Sequence, residues 1–126
     1  MDWLTPEEEC LLVNASEGAS LWALLADWTE SEDEEAWRSA VPAFLPLVES
    51  WAAQGYLEPF RAPEPPAYIG GTPLRGRELE AALRDPDTWE YHEDHTVGLY
   101  ATPAATVLGT DPAKRAEGGP GTGAAS

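Results

Sequence analysis

The residues best suited to chemistry lie close together in the second half of the chain. His92 and His95 are separated by two residues, and carboxylates surround them at Glu90, Glu93 and Asp94. Imidazole and carboxylate groups bind transition-metal ions, so this cluster is a candidate metal site. Residues three apart on a hairpin point to opposite faces, however, so a metal would need the turn to bring both rings together. A polar turn is the commoner explanation, and we predict no metal or other cofactor. A metal- or ligand-sensing turn is the alternative.

The other reactive residue types form no catalytic pattern. The single cysteine, Cys10, lies on the apolar side of a predicted helix, where we expect a buried and unreactive thiol. One cysteine excludes an internal disulfide and a cysteine zinc cluster. The sequence contains no glycine-rich phosphate loop, serine nucleophile elbow or metalloprotease helix motif. We therefore predict that the protein is not an enzyme.

A second segment combines tryptophan with acidic residues. Residues 29–35 read TESEDEE, and Trp22 and Trp37 flank this run, off the main apolar stripes of their helices. Tryptophan is enriched at binding hot spots because it buries a large area and keeps one polar group. The competing explanation is that both rings fill a small core. An aromatic and acidic patch would suit a basic, partly apolar protein surface. The predicted partner-binding residues are Trp22, Trp28, Glu30, Glu32, Asp33, Glu34, Glu35 and Trp37.

The charge balance restricts the classes of partner. The chain has 23 Asp and Glu but only seven Lys and Arg, a net charge of −16. Residues 1–60 contain 13 of the acidic residues and one basic residue, Arg38. Such a surface repels nucleic-acid phosphates and anionic membranes. It favours basic partners, or it simply keeps the protein soluble.

Length and hydropathy predict one small domain outside the membrane. A chain of 126 residues with 43% hydrophobic residues can build a single core. No run approaches the roughly 18 apolar residues of a membrane span, and the N-terminus lacks a signal-peptide pattern. We therefore expect a cytoplasmic protein. The domain should cover residues 1–108, and the Gly-, Pro- and Ala-rich residues 109–126 should form a disordered tail.

The elements that would position these groups begin with two short helices. Thr5 and Glu8 form a capping box at the start of the first helix, which should end before Gly18. Ser20 is expected to cap a second helix over residues 21–28.

A third helix is predicted over residues 41–54, and Ser31 with Glu34 forms another capping box before it. The segment containing that box is either a loop or the first turn of the helix. Pro46 lies inside the helical pattern and predicts a kink or a later start. The apolar stripe consists of Val41, Phe44, Leu45, Val48, Trp51 and Ala52.

The next part of the chain should contain a strand and an inserted helix. Residues 56–61 alternate in hydropathy, and Pro59 would place that strand at a sheet edge or a bulge. A Pro- and Gly-rich loop follows over residues 62–73. The inserted helix is predicted over residues 74–84, with Thr72 as its cap.

The end of the domain should contain a hairpin and a last short helix. Residues 88–92 and 96–101 are predicted strands, and residues 93–95 form the turn between them. A short helix is expected over residues 103–108. Three helices followed by strands, a further helix and a hairpin indicate an α+β fold.

Two segments resemble the MarR-like winged-helix family. Residues 47–58, LVESWAAQGYLE, resemble the end of the recognition helix and the strand after it. Residues 97–105, VGLYATPAA, resemble the returning wing strand and the following Thr-Pro-Ala cap. The resemblance implies a winged-helix-like fold, with residues 88–101 as the β-hairpin wing, and a homodimer formed through terminal helices. Residues 92–95 lack the family's basic wing tip, and the segment 61–87 before the wing is long.

The distribution of cations argues against direct DNA binding. A winged helix that reads DNA inserts its third helix into the major groove, and cation–phosphate contacts supply much of the affinity. The predicted third helix contains no Lys or Arg, and two of the seven cations lie in the tail. Polar groups on the third helix and arginines on the inserted helix are the alternative DNA contacts. These residues are Ser50, Gln54, Arg75, Arg77 and Arg84.

These patterns predict a small acidic winged-helix-like protein that acts through protein–protein interaction. In one version it is a DNA mimic or anti-regulator that occupies a basic DNA-binding surface. The alternative is a transcriptional regulator with weak or partner-assisted DNA binding. A basic strip of arginines beside the third helix would favour the regulator, whereas pairing of those arginines with acidic residues would favour the protein partner.

Overall fold

The computed structural model describes residues 4–63 and 71–109, and within them the chain is α+β, as predicted. The helices are α1 (Pro6–Ser16), α2 (Leu21–Thr29), α3 (Glu34–Ala53) and α4 (Gly76–Arg84). The strands are β1 (Leu57–Ala62), β2 (Thr72–Pro73) and β3 (Thr96–Ala101). Pro86–Trp89 and Pro103–Gly109 form two 3₁₀ helices. Apart from residue 109, the predicted disordered tail lies outside the described residues.

The first two helices begin where predicted, but only one of the two N-cap side chains makes a capping bond. Thr5 Oγ1 accepts the Glu8 N–H at 3.1 Å, and the Glu8 carboxylate accepts the Thr5 N–H at 2.9 Å, which completes the capping box of α1. Ser20 occupies the N-cap position of α2, as predicted, but its side chain makes no capping bond. Ser20 is buried and pairs with Gly98 in an isolated bridge that joins the start of α2 to β3.

The third helix starts seven residues earlier than predicted. Asp33 is its N-cap, since Asp33 Oδ1 accepts the Glu35 N–H at 3.0 Å. The predicted capping box of Ser31 with Glu34 is therefore wrong. Ser31 Oγ instead accepts the Asp33 N–H at 3.0 Å and stabilises the turn before the helix.

Two prolines lie inside α3 without ending it. Each removes a backbone donor and costs about 3 kcal/mol in an isolated helix, yet α3 continues through Pro42 and Pro46. Burial of large side chains, about 1.5–3 kcal/mol for each that is fully buried, offsets this cost. The buried residues of α3 are Trp37, Ala40, Phe44, Val48 and Trp51.

The sheet has the strand order β2-β1-β3, and all pairs are antiparallel. The prediction that Pro59 marks an edge strand is wrong, because β1 is the central strand. The Pro59 carbonyl accepts the Leu74 N–H at 2.9 Å, but proline has no N–H to return the bond. Leu74 directly follows the short strand β2, which ends at Pro73.

The predicted hairpin between residues 88–92 and 96–101 does not form. The strand over 96–101 is confirmed as β3, but it pairs with β1, from Leu57 opposite Ala101 to Ala62 opposite Thr96. The two strands of this pair are therefore separated by a long excursion that includes α4.

The residues predicted as the first hairpin strand form a 3₁₀ helix instead. Asp85 Oδ1 accepts the Asp87 N–H at 3.0 Å and begins this helix. Trp89 is 2% exposed, and its indole N–H donates to the Leu83 carbonyl at 2.8 Å. Burial of the ring, together with this bond to α4, favours the compact helix over an extended strand.

The inserted helix and the last helix also differ from their predictions. Thr72 does not cap α4, because Thr72 and Pro73 form β2 and the helix begins at Gly76. The last helix is present, but as a 3₁₀ helix.

One core joins the helices to the sheet. Trp51, on the predicted apolar stripe of the third helix, is buried, and so is Trp89, while Trp28 is half-buried with its ring edge-on to Phe44 at 5.4 Å. No helix in the described part of the chain is long and apolar enough to cross a membrane. The largest fully buried apolar side chains are Trp89, Phe44, Phe60, Leu11, Leu21, Leu24, Leu25, Leu83, Leu99, Val48 and Val97.

Candidate functional site

The first candidate surface is the segment between α2 and α3, residues 30–35, which we call the acidic turn. Its five carboxylates are all exposed, and none forms an ion pair with another described residue. Glu30 adopts a left-handed conformation, with φ of 54°, and its N–H donates to the Ala26 carbonyl at the end of α2. The turn has a defined backbone, because the Trp37 indole N–H donates to the Ser31 carbonyl at 2.8 Å. A fixed loop therefore presents these carboxylates to solvent.

An aromatic cluster lies behind the acidic turn. Trp37 is only 5% exposed, and its ring lies 5.8 Å from that of Trp22. Trp22 packs edge-on against Tyr91 at 5.1 Å, and Tyr91 is 45% exposed. The indole nitrogen of Trp22 is buried and has no hydrogen-bond partner among the residues that the structure describes. The structure thus brings Trp22 and Trp37 together, and it adds Tyr91.

One predicted residue lies outside this cluster, and one residue of the cluster was not predicted. Trp28 packs against Phe44 of α3 and makes no ring contact with Trp22 or Trp37 among the described residues. Tyr91 was not predicted as a partner-binding residue, because the sequence placed it in a hairpin strand. Its neighbour Glu90, 3.4 Å from the Arg38 guanidinium of α3, links the two segments across the fold.

The arginines considered for DNA contact are mostly paired with carboxylates. Arg84 lies 3.0 Å from Glu49 of α3 and 3.9 Å from Glu80 on its own helix. Arg75 pairs with Glu58 of β1. Arg77 is exposed and has no ion-pair partner in the described residues. No basic strip therefore runs beside α3 in this part of the chain.

The polar residues considered for base contact lie at the end of α3. Ser50 and Gln54 are exposed, and the Gln54 amide donates to Ser50 Oγ at 2.9 Å. A groove of about 750 Å³ lies nearby, between the end of α3, β1 and α4. Its charged lining residues are Glu49, Glu58, Arg75, Arg77 and Glu80.

The second candidate site is a cavity of about 400 Å³, which we call the histidine cavity. His92 and His95 line it, and their rings stack at 4.5 Å with an angle of 13° between planes. Residues of β1, α4, the first 3₁₀ helix and β3 form its other walls. A hairpin was expected to separate the two rings unless a turn brought them together, and the structure places them side by side.

Hydrogen bonds fix the orientation of both imidazoles. His92 Nε2 lies 2.9 Å from the Asp87 carbonyl, which can only accept, so this nitrogen carries the proton. That bond is the main reason why the pKa of His92 is raised above its ordinary value of 6.5. His95 Nδ1 lies 2.7 Å from Asp94 Oδ1, and this bond lowers the pKa of the Asp94 carboxyl.

The cavity does not have the geometry of a metal centre. Stacked, nearly parallel rings do not aim their lone pairs at a common point. Among the described residues, no group of three or more His, Cys, Asp or Glu side chains is arranged to hold an ion. The residues present therefore do not favour a metal site.

Cys10 lies in a separate polar cluster between α1 and α2. Its sulfur is 3.7 Å from Asp27 Oδ2, and the Asn14 amide donates to the same oxygen at 2.9 Å. Burial and the nearby Asp27 carboxylate raise the pKa of the thiol to about 11. The thiol is half-buried rather than fully buried, but it stays protonated and weakly nucleophilic at neutral pH.

No family model, curated protein or solved structure matches this chain. Two features of the described residues bear on function. One is the acidic turn with its aromatic support, which the sequence predicted in part. The other is the histidine cavity, whose walls come from segments far apart in sequence.

Proposed function

We propose that this chain is a winged-helix-like domain that acts by binding a basic, partly apolar protein surface, and not by catalysis or direct DNA binding. The supporting observation is the acidic turn, whose five exposed carboxylates have no ion-pair partner among the described residues. Exposed charges without internal partners attract an oppositely charged protein and speed its association. The neighbouring Tyr91 and Trp22 supply apolar contact area beside them.

The winged-helix part of the proposal rests on two paired segments. The end of α3 leads through Gly55 into β1, and β3 returns antiparallel to β1. These are the two segments that resemble the family. The wing of this domain would then involve β2 and α4, which lie between β1 and β3 in sequence, rather than a short hairpin.

The arginine pairs support a protein partner over DNA. Arg84 and Arg75 lie against Glu49 and Glu58, so phosphate would have to displace carboxylates before it met either guanidinium. A partner that normally binds DNA offers the basic surface that an acidic turn requires. The protein would then be a DNA mimic or anti-regulator of such a partner. Dimerisation through terminal helices remains a prediction from the resemblance.

The first test measures DNA binding directly. Fluorescence anisotropy of a labelled mixed-sequence duplex is recorded at low salt and at about 150 mM, because phosphate contacts are strongest at low salt. We expect no binding at either concentration. Binding with a clear salt dependence would overturn the proposal and favour the transcriptional regulator.

The second test identifies the partner surface. Partners captured from the source cells are quantified for the wild type, for Glu32→Gln/Glu34→Gln/Glu35→Gln, and for a control with the same charge change at Glu17, Glu80 and Glu93. We expect basic proteins that the acidic-turn variant loses and the control retains. Association of an isolated partner should slow roughly tenfold in the acidic-turn variant. Equal losses in both variants would show that only net charge matters, which would contradict the proposal.

A further inference from the structure

The indole N–H of Trp22 is a hydrogen-bond donor that lacks an acceptor. The residue is half-buried, but its nitrogen is the single buried side-chain nitrogen or oxygen without a partner in the described part of the chain. The indole nitrogens of Trp37 and Trp89 each donate to a main-chain carbonyl at 2.8 Å. Buried polar atoms are nearly always hydrogen-bonded, because an unpaired one loses its bond to water and gains none in return. The exception at Trp22 therefore indicates an acceptor that the described residues do not supply.

Tyr91 is the neighbour of the Trp22 ring that can move. The two ring planes lie at 82° to each other, with centroids 5.1 Å apart. Tyr91 is exposed, and residues 90–95 form no helix or strand, so its ring can leave by rotation about its own side-chain bonds. Trp37 is buried and fixed by its bond to the Ser31 carbonyl. An aromatic ring offers an N–H at most a weak acceptor, so a carbonyl oxygen in place of Tyr91 would bond more strongly.

The acidic turn lies beside Trp22 and selects the charge of an incoming group. Trp37 connects the two, because its ring lies 5.8 Å from that of Trp22 and its N–H bonds to Ser31 in the turn. The five exposed carboxylates of the turn repel an acceptor that is itself a carboxylate. A main-chain carbonyl is a neutral acceptor, and it is free in a segment that forms neither helix nor sheet. The acceptor that fits is therefore the main chain of an extended segment.

We propose that an extended, arginine-containing segment of the partner displaces the Tyr91 ring, and that one of its main-chain carbonyls accepts the Trp22 indole N–H. This inference rests on the proposed function, because it names the kind of segment that the acidic turn attracts. Guanidinium groups form paired N–H···O bonds to carboxylates and stack on aromatic faces. Arginine therefore fits both the acidic turn and the displaced Tyr91 ring better than lysine does.

The first measurement follows the indole N–H groups of the free protein by ¹H–¹⁵N NMR, and Trp22→Phe assigns the signal of Trp22. We expect the Trp22 N–H to exchange with water at least roughly tenfold faster than the Trp89 N–H, because no carbonyl holds it. Tyr91→Ala should accelerate exchange at Trp22 and leave Trp89 unchanged. Equal protection of Trp22 and Trp89 would show that the Trp22 N–H is already bonded and would overturn the inference. An unchanged rate at Trp22 in Tyr91→Ala would also overturn it.

The second measurement adds a probe peptide, acetyl-Arg-Leu-Arg-Leu-Arg-amide, to the intact protein at constant ionic strength. We expect saturable binding, a downfield shift of the Trp22 indole proton from its new hydrogen bond, and movement of the Tyr91 ring resonances. A peptide with citrulline in place of each arginine keeps the main chain but loses the charge, and it should bind at least roughly tenfold more weakly. Equal binding of the two peptides, or no saturable binding up to about 1 mM, would overturn the inference.

Two matched variants on α2 locate the contact. Trp22 and Trp28 are both half-buried, but Trp28 packs against Phe44 and lies outside the aromatic cluster. We expect Trp22→Phe to weaken binding of the arginine peptide at least about fivefold and Trp28→Phe less than about twofold. Wild-type affinity in Trp22→Phe, or equal weakening in both variants, would overturn the inference. The exchange measurement on the wild type does not depend on the folding of either variant.

The acidic-turn variant Glu32→Gln/Glu34→Gln/Glu35→Gln separates this inference from the proposed function. We expect it to bind the arginine peptide at least roughly tenfold more weakly than the wild type. Loss of the peptide in this variant, together with full binding by Trp22→Phe, would overturn the Trp22 contact and leave the proposed function intact. Undiminished binding by the acidic-turn variant would contradict the proposed function as well.

Discussion

Two acidic regions of this protein differ in whether their carboxylates contact a charged or titratable partner. In the acidic turn, all five carboxylates are exposed and none has an ion-pair partner among the described residues. In the second half of the chain, Asp87 and Asp94 contact histidines, and Glu90 contacts an arginine from α3. Similar composition therefore gives carboxylates without partners in one region and, in the other, several carboxylates that contact a histidine or an arginine.

The difference has a local cause. The acidic turn leads into the N-terminus of α3, whose helix dipole stabilises nearby negative charge, so Glu34 and Glu35 need no cation. The carboxylates of the second half lie where β1, α4 and the first 3₁₀ helix meet, and side chains from distant segments reach them. Charge pairing here depends on tertiary contacts.

The largest expected effect would come from removing the anchor of the acidic turn. Trp37 is 5% exposed and donates to the Ser31 carbonyl. We expect Trp37→Ala to lower the free energy of unfolding by about 3–5 kcal/mol, measured by urea denaturation. Trp37→Phe keeps most of the packing and should cost clearly less. A loss below about 1 kcal/mol for the alanine variant would show that the turn is not fixed by this residue.

A smaller effect distinguishes the residues of the acidic turn from one another. Asp33 caps α3, whereas Glu32 makes no hydrogen bond through its side chain to another described residue. Asp33→Ala should cost about 0.5–2 kcal/mol of unfolding free energy. Glu32→Gln should change it by less than about 0.5 kcal/mol. Thermal or urea denaturation of both variants checks this, and equal costs would contradict the assigned cap.

The ion pair between α3 and α4 should contribute still less. Arg84 and Glu49 are 58% and 28% exposed, so water screens their attraction. We expect Arg84→Gln to cost less than about 1 kcal/mol relative to Arg77→Gln, which removes an arginine that has no ion pair within the described part of the chain. The difference should disappear in 1 M salt, where the screening length is about 3 Å. A difference that persists in high salt would show that packing, not charge, is lost.

The smallest effect concerns His92. Because its pKa is raised in the folded protein, its contribution to stability is fully present below pH 6.5 and is lost as pH rises through the raised value. An NMR titration of its Cε1–H resonance should give a midpoint above that of the unfolded chain in urea. His92→Gln should remove this part of the pH dependence. A midpoint at or below the unfolded value would contradict the hydrogen bond to the Asp87 carbonyl.

Local rules predicted some elements well. The capping box of α1 requires only Thr5 and Glu8, which are three residues apart, so the sequence contains all of its information. The early start of α3 depends on Asp33 and on burial of Trp37, which lies off the apolar stripe that defined the predicted helix. Burial of Trp37 in the tertiary structure therefore starts the helix earlier than its apolar stripe predicts.

The predicted hairpin is a case in which local composition indicated the wrong structure. Residues 88–92 have the composition of a strand, but Trp89 enters the core and bonds to the end of α4. The strand that pairs with β3 is instead β1, which lies over thirty residues before β3 in the sequence. Strand composition identifies a residue that suits a sheet, but it does not identify the partner strand.

The amino-acid sequence by itself determined the α+β class, the start of α1, the existence of β3 and the strongly acidic balance, because each depends on composition or on residues a few positions apart. The tertiary structure decided which carboxylates have partners, which tryptophans are buried, and that two histidines share one cavity wall. Those features depend on contacts between distant segments, and packing energy, rather than local preference, selects them.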